Sequence, residues 1–65
     1  MPALTTDETR LIGSVFATLD SAARRRALRG TWFEIDLEPS VFAEQVNSIH
    51  PDAAREVYRR IVREM

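Results

Sequence analysis

The sequence predicts a mostly α-helical fold, a small bundle of three to four helices with one short extended segment at about residues 31–38. Three observations lead to this prediction. Apolar residues recur with helical spacing over most of the chain, capping residues or prolines stand where those runs begin, and a single stretch alternates apolar with acidic residues. A chain of 65 residues is long enough for one domain, so residues 1–65 are interpreted as a single small helical domain.

The first helix is predicted to begin near Thr5 or Thr6 and to end near Asp20. Thr5 and Glu8 have the spacing of a capping box, in which each side chain accepts a hydrogen bond from a free backbone N–H at the helix start. An apolar stripe follows along one face, formed by Leu11, Ile12, Val15, Phe16 and Leu19. Gly13 and Ala17 lie one turn apart and form a notch of small residues, so we expect another helix to cross closely there.

Asp20 or Ser21 can cap a second, shorter helix that runs to Leu28, and Gly30 is well placed just beyond its C-terminus. One continuous helix over residues 6–29 is the alternative, because neither Pro nor Gly separates the two. The apolar stripe weakens to alanines after the first helix, and this favours two helices.

Residues 33–38 alternate strictly between apolar and acidic side chains, the period-two pattern of a half-buried extended strand. The apolar members Phe33, Ile35 and Leu37 would share the buried face. A helical interpretation stays open because Phe33 and Leu37 are also one turn apart, but Pro39 disfavours helical dihedral angles at Glu38. Because a lone strand needs a partner, we expect a dimer or a partner protein to complete the fold.

Prolines mark the starts of the last two helices. Pro39 is acceptable in the first turn of a third helix with Asp36 or Glu38 near its cap, and the helix has an apolar stripe of Val41, Phe42, Val46 and Ile49. His50 interrupts this helix, and Pro51 starts the final one. Its stripe is the most regular in the chain and consists of Ala53, Ala54, Val57, Tyr58, Ile61, Val62 and Met65.

The composition excludes several classes of site and indicates a cellular location. There is no Cys and a single His, so neither a disulfide framework nor a thiolate or multi-histidine metal site can form. The N-terminus has no basic start followed by an apolar run, and no stretch of eighteen apolar residues occurs. We therefore expect a cytoplasmic protein without a membrane partner.

The net charge of −1 conceals an alternation of charged blocks. Residues 1–23 carry −2, residues 24–29 carry +4, residues 30–52 carry −5 and residues 53–65 carry +2. This pattern suits pairing within the chain or head-to-tail association. It suits a nucleic-acid-binding protein less well, because such proteins usually present a net basic surface.

The sequence contains no pattern typical of an enzyme. The sole imidazole, His50, precedes a proline in a predicted turn and is more readily explained as a cap than as a catalytic base. Glu34, Asp36 and Glu38 recur at every second position and would face solvent together, and the two glycines of the chain stand apart, so no phosphate-binding loop is formed. We expect no catalytic residue, no cofactor and no bound metal.

The predicted partner-binding residues adjoin the basic block and comprise Trp32, Phe33, Glu34, Ile35, Asp36, Leu37 and Glu38. Aromatic residues outside a core are typical anchors of protein interfaces, and a position in the core is the alternative for Trp32 and Phe33. In an extended segment Trp32 and Phe33 would point to opposite faces, so a thin domain could bury one and expose the other. Trp32 is the preferred interface residue.

An alternative site is the basic cluster of Arg24, Arg25, Arg26 and Arg29, whose guanidinium groups could neutralise phosphates. Three consecutive helical residues fan through about 200°, so this run does not form one flat face, and an exposed helix end that pairs with the acidic segment is the favoured interpretation. From Thr31 onward the order strand, helix, helix resembles a ribbon-helix-helix protomer, a family in which two chains pair their strands and read DNA with the outward side chains. Here those outward side chains would be acidic and would repel phosphates.

The sequence thus predicts a non-enzymatic protein-interaction or regulatory module, such as an adaptor, an inhibitor or a small accessory subunit. It would bind a protein partner and also itself through residues 24–42. The alternative is a dimeric nucleic-acid-binding regulator that uses the basic cluster.

Overall fold

The structure is a computed structural model that describes residues 3–65. Within this range the chain forms four α-helices, and about two thirds of the residues are helical. The helices are α1 (Thr6–Thr18), α2 (Ser21–Ala27), α3 (Pro39–Asn47) and α4 (Pro51–Arg63). The predicted small helical bundle is thereby confirmed, and none of the helices in the described range is long and apolar enough to cross a membrane.

Local capping determines where α1 and α2 begin. The Glu8 backbone N–H donates to Thr5 Oγ1 over 3.1 Å, and the Thr5 backbone N–H donates to Glu8 Oε1 over 3.0 Å, which completes the predicted capping box. Helix α1 ends at Thr18, and Asp20 then caps α2 by accepting a hydrogen bond of 2.8 Å from the Ala23 backbone N–H. The prediction of two helices instead of one is confirmed.

Helices α3 and α4 both begin at a proline, as predicted. Pro39 and Pro51 occupy first-turn positions, where the missing backbone N–H costs nothing. His50 caps α4 because its Nδ1 accepts a hydrogen bond of 3.2 Å from the Asp52 backbone N–H. Glu38 is the residue that precedes α3, but its side chain forms no cap hydrogen bond.

The core lies between α1, α3 and α4, and α2 packs on α4 at one side. At its centre the Phe16 and Phe42 rings stack with their centroids 4.0 Å apart, and both side chains are fully buried. Helix α1 crosses α3 at the predicted small-residue notch: a Cβ atom on Gly13 would lie 3.5 Å from Ala43 Cβ. The close crossing expected at Gly13 is thus present.

The strand predicted from the alternating pattern of residues 33–38 is wrong. None of residues 3–65 belongs to a β-strand, and residues 35–36 form a turn inside an irregular connection between α2 and α3. The physical reason is that the described chain offers no second strand to pair with this backbone. The alternation of burial nevertheless persists, since Phe33 is buried, Ile35 and Leu37 are half-buried, and the acidic residues between them are exposed. The ribbon-helix-helix topology, which requires the strand, is not found.

Candidate protein-interaction site

Trp32 lies in the connection between α2 and α3 and leaves 68% of its surface exposed. Its indole stacks on the Phe33 ring, with the centroids 4.3 Å apart and an angle of 23° between the planes. The sequence left open a core position for these residues or a division into one buried and one exposed, and the second is observed. The two side chains do not point to opposite faces, as they would in a strand, because their rings stack on each other.

An aromatic series continues from Trp32 into the core. The Phe33 ring meets Phe42 edge to face, with centroids 5.5 Å apart, and Phe42 stacks on Phe16. At the far end the Arg24 guanidinium carbon lies 4.0 Å from the centre of the Phe16 ring, a cation–π contact. We call Trp32, Phe33, Phe42 and Phe16 the aromatic series. Because three of its four rings are buried, the exposed indole rests on a rigid support.

Arg24 fastens the connection that carries Trp32. Its Nε and Nη2 donate to the Phe16 carbonyl oxygen over 3.1 and 2.9 Å, and its Nη1 donates to the Ile35 carbonyl oxygen over 2.8 Å. One guanidinium group therefore joins the last turn of α1 to the connection through charge-assisted hydrogen bonds. This arginine, predicted as part of a basic cluster for nucleic acid, is engaged within the molecule.

The other arginines of the predicted cluster have separate surroundings. Arg26 pairs with Glu64 at the end of α4, with Nε 3.1 Å from both carboxylate oxygens. This hydrogen bond from the guanidinium lowers the pKa of the Glu64 carboxyl below its ordinary value. Arg25 and Arg29 are exposed, and neither forms a salt bridge within residues 3–65. The four arginines therefore do not act as one patch, in agreement with their spread around the helix.

An open cleft of about 460 Å³ lies between the end of α2 and the second half of α4. It is lined by Arg26, Ala27, Arg29, Glu56, Arg60, Arg63 and Glu64. Four arginines against two glutamates give this lining a net charge of +2, and we call it the basic cleft. Arg60 contributes to its shape by donating a hydrogen bond of 2.6 Å from Nη1 to the carbonyl oxygen of Arg29.

Two smaller hollows flank Trp32. The first, of about 230 Å³, is lined by Gly30, Thr31, Trp32, Phe33, Ile49, Ala53, Glu56, Val57 and Arg60. The second, of about 350 Å³, is lined by Trp32, Val41, Glu44, Gln45, Ser48 and Ile49. Trp32 and Ile49 belong to both hollows, so the two form one surface, which we call the Trp32 surface.

An acidic residue borders the Trp32 surface on the side of α3. Glu44 lines the second hollow together with Val41, and Glu38, three residues before Val41, directly precedes the helix. All three are exposed. We call Glu38 and Glu44 the acidic margin, and neither forms a salt bridge within residues 3–65.

The predicted partner-binding residues fall into three groups. The exposed ones are Trp32, Glu34, Asp36 and Glu38, the half-buried ones are Ile35 and Leu37, and the buried one is Phe33. Sequence reasoning missed Val41, Ile49 and Ala53, which it assigned to apolar stripes of the core. The sequence did contain an indication that Val41 is exposed. Val41 and Phe42 are about 100° apart on a helix, so they cannot both point directly into one core.

Within residues 3–65 there is no group of three or more His, Asp or Glu side chains placed to hold a metal ion. Comparisons with models of protein families, with curated proteins and with solved structures gave no match. The class of protein is therefore defined by fold and surface alone: a small helical domain that presents a tryptophan on a rigid aromatic support.

Proposed function

We propose that this protein is a non-enzymatic interaction or regulatory module that binds a protein partner through the Trp32 surface. The observation that supports this most directly is the contrast between Trp32, which is 68% exposed, and the buried Phe33 on which it stacks. Trp is among the residues most enriched where binding energy concentrates at protein interfaces.

The packing behind the indole makes it a favourable anchor. Binding orders the side chains at an interface, at a cost of about 0.5–1.5 kcal/mol for each mobile side chain. The indole of Trp32 is already held by Phe33, so little of this cost remains. Val41, 40% exposed, and the half-buried Ile49 extend the apolar area. Gln45 and Ser48 supply polar groups at the edge, as interface rims do.

A nucleic-acid-binding regulator is the second candidate, and one specific observation favours it. The basic cleft shares Arg60 with the Trp32 surface, and an aromatic side chain beside arginines is the arrangement on which single-stranded bases stack. Three facts favour a protein partner instead. Arg24 and Arg26 are engaged within the molecule, the acidic margin borders Trp32, and the net charge is −1.

The test is affinity purification of the native protein, followed by mass measurement of the complex at low and high salt. Trp32→Ser is compared with Met65→Ala, because Met65 is also a large exposed apolar residue, at 75%, and lies outside the Trp32 surface. We expect a stoichiometric complex that withstands high salt, is lost with Trp32→Ser and is kept with Met65→Ala.

Two results would overturn the proposal. Complexes of equal amount and mass from the Trp32→Ser variant and the parent protein would show that Trp32 does not bind the partner. A complex that contains nucleic acid and dissociates at high salt would select the second candidate.

A further inference from the structure

Charge is ordered across the surface that contains Trp32. The basic cleft adjoins the first hollow through Glu56 and Arg60, which line both. The two hollows of the Trp32 surface follow, and Glu44 of the acidic margin lines the second. Along this surface the order is therefore a positive cleft, an apolar middle around Trp32, and a negative border.

Such a strip is complementary to itself. If a second copy is turned by 180° about an axis through the apolar middle, the positive end of each copy faces the negative end of the other. Apolar surface then covers apolar surface. This is the geometry of an isologous two-fold dimer, in which the same patch of both subunits forms the interface.

We infer that the occupant of the Trp32 surface is a second copy of this chain, related by a two-fold axis that passes close to Trp32. This inference rests on the proposed function and names its partner. The basic cleft of each copy faces the acidic margin of the other.

Opposite charges meet in this arrangement. The lining of the basic cleft sums to +2, the acidic residue that lines the second hollow is Glu44, and the exposed Glu38 directly precedes the same helix. Arg29 and Arg63 in the cleft form no salt bridge within residues 3–65, so both are available to carboxylates of the other copy. A foreign partner would have to supply the inverse pattern, whereas this chain already carries it.

The apolar content of the surface agrees with a dimer. Three large apolar residues are exposed in residues 3–65, and two of them, Trp32 and Val41, lie here. A domain of this size has a thin core and gains stability from a second subunit.

The first experiment measures the mass of the purified full chain by sedimentation over a range of concentrations. We expect an equilibrium between monomer and dimer. Trp32→Ser should weaken the dimer about thirtyfold or more, because each dimer loses two central anchors. Met65→Ala should leave the dissociation constant unchanged.

The second experiment reverses charges at the two ends of the strip. Arg29→Glu and Glu44→Arg should each weaken the dimer about tenfold, since each places like charges together twice in the dimer. An equimolar mixture of the two variants should recover the dimer, because one variant then offers Glu where the other offers Arg. Arg25→Glu is the matched control, since Arg25 is an exposed arginine of the same run outside the basic cleft.

The outcomes separate this inference from the proposed function. A chain that stays monomeric at the highest attainable concentration overturns the inference. If that monomer still forms a Trp32-dependent complex with a different protein, the proposed function stands. A dimer indifferent to both Trp32→Ser and the charge reversals also overturns the inference, because its interface lies elsewhere. If no complex that depends on Trp32 forms, either with a second copy or with another protein, both the inference and the proposed function are overturned.

Discussion

Helix α1 and the connection between α2 and α3 are ordered by different means. Helix α1 has a continuous backbone hydrogen-bond ladder, a complete capping box and a broad contact with α3. The connection has no ladder and is held by side chains, chiefly by Arg24 at the Ile35 carbonyl and by Phe33 in the aromatic series. The candidate binding residue, Trp32, lies in the connection. The difference shows that α1 is stabilised by many backbone hydrogen bonds, whereas the connection that carries Trp32 depends on a few individual side chains.

The largest expected effect comes from removing the guanidinium that holds the connection. Arg24→Met keeps the apolar stem but removes the hydrogen bonds to the carbonyl oxygens of Phe16 and Ile35. We expect the free energy of unfolding to fall by about 2 kcal/mol, the range for hydrogen bonds to charged groups. Urea unfolding followed by circular dichroism measures this change. Arg25→Met, at an exposed neighbouring position, should change the free energy little.

The same variant sharpens the comparison between the two regions. Amide hydrogen exchange in Arg24→Met should accelerate in residues 31–38 well before it accelerates in α1, because only the connection lacks its own ladder. Equal acceleration in both regions would contradict the view that α1 is held by its backbone hydrogen bonds and the connection by individual side chains.

The two glycines should respond differently to substitution by Ala. Gly30 follows α2 with a φ of 81°, a left-handed conformation, so Gly30→Ala should destabilise the protein by about 1 kcal/mol. Gly13 lies inside α1, where an added Cβ would be in ordinary contact with Ala43. Gly13→Ala should therefore leave the stability unchanged or raise it by up to about 1 kcal/mol through helix propensity.

Thermal unfolding of both glycine variants measures these effects. Gly30→Asn serves as a control, because Asn tolerates the left-handed region better than Ala and should lower the melting temperature less. A melting temperature unchanged in Gly30→Ala would show that the turn is not strained by a side chain.

The smallest effect concerns pH. The hydrogen bond from Arg55 lowers the pKa of Glu8 below 4.5, and the hydrogen bond from Arg26 lowers that of Glu64. Because each folded-state pKa lies below its unfolded value, these contributions to stability are present above pH 4.5 and are lost as pH falls through the folded pKa. Acid should therefore weaken the tie of α4 to α1 and to α2.

A titration of the side-chain carboxyls by NMR separates the two pairs. In Arg55→Gln, the pKa of Glu8 should move upward toward its ordinary value while that of Glu64 stays low. Arg26→Gln should do the reverse. Movement of both pKa values in either variant would mean that the pairs are coupled through the fold.

Much of the fold was predictable because its signals are local. Backbone N–H groups at the helix starts are satisfied within a few residues by the capping box of Thr5 and Glu8 and by the cap at Asp20. At positions 39 and 51 proline has no N–H group that would need a partner. These signals located the start of every helix in the described range. They act in the same way whatever the distant parts of the chain do.

The connection at residues 31–38 was only half predictable. Its alternating pattern correctly indicated that Phe33 is buried and that the acidic residues are exposed. A period of two does not show whether a second strand exists to pair with, and here none does within the described residues. The hydrogen-bond partners of Arg24 were not predictable for a related reason, since the acceptors are eight and eleven residues away.

The sequence by itself determined the helices and the breaks between them, because caps, prolines and periodicity act over a single turn. Only the tertiary structure decided that Trp32 stacks on Phe33, that Val41 and Ile49 join it on one surface, and that arginines of α2 and α4 form a cleft beside it. These juxtapositions arise from packing between elements far apart in the chain. Such packing depends on the shapes of all the side chains at once, and no local pattern encodes it.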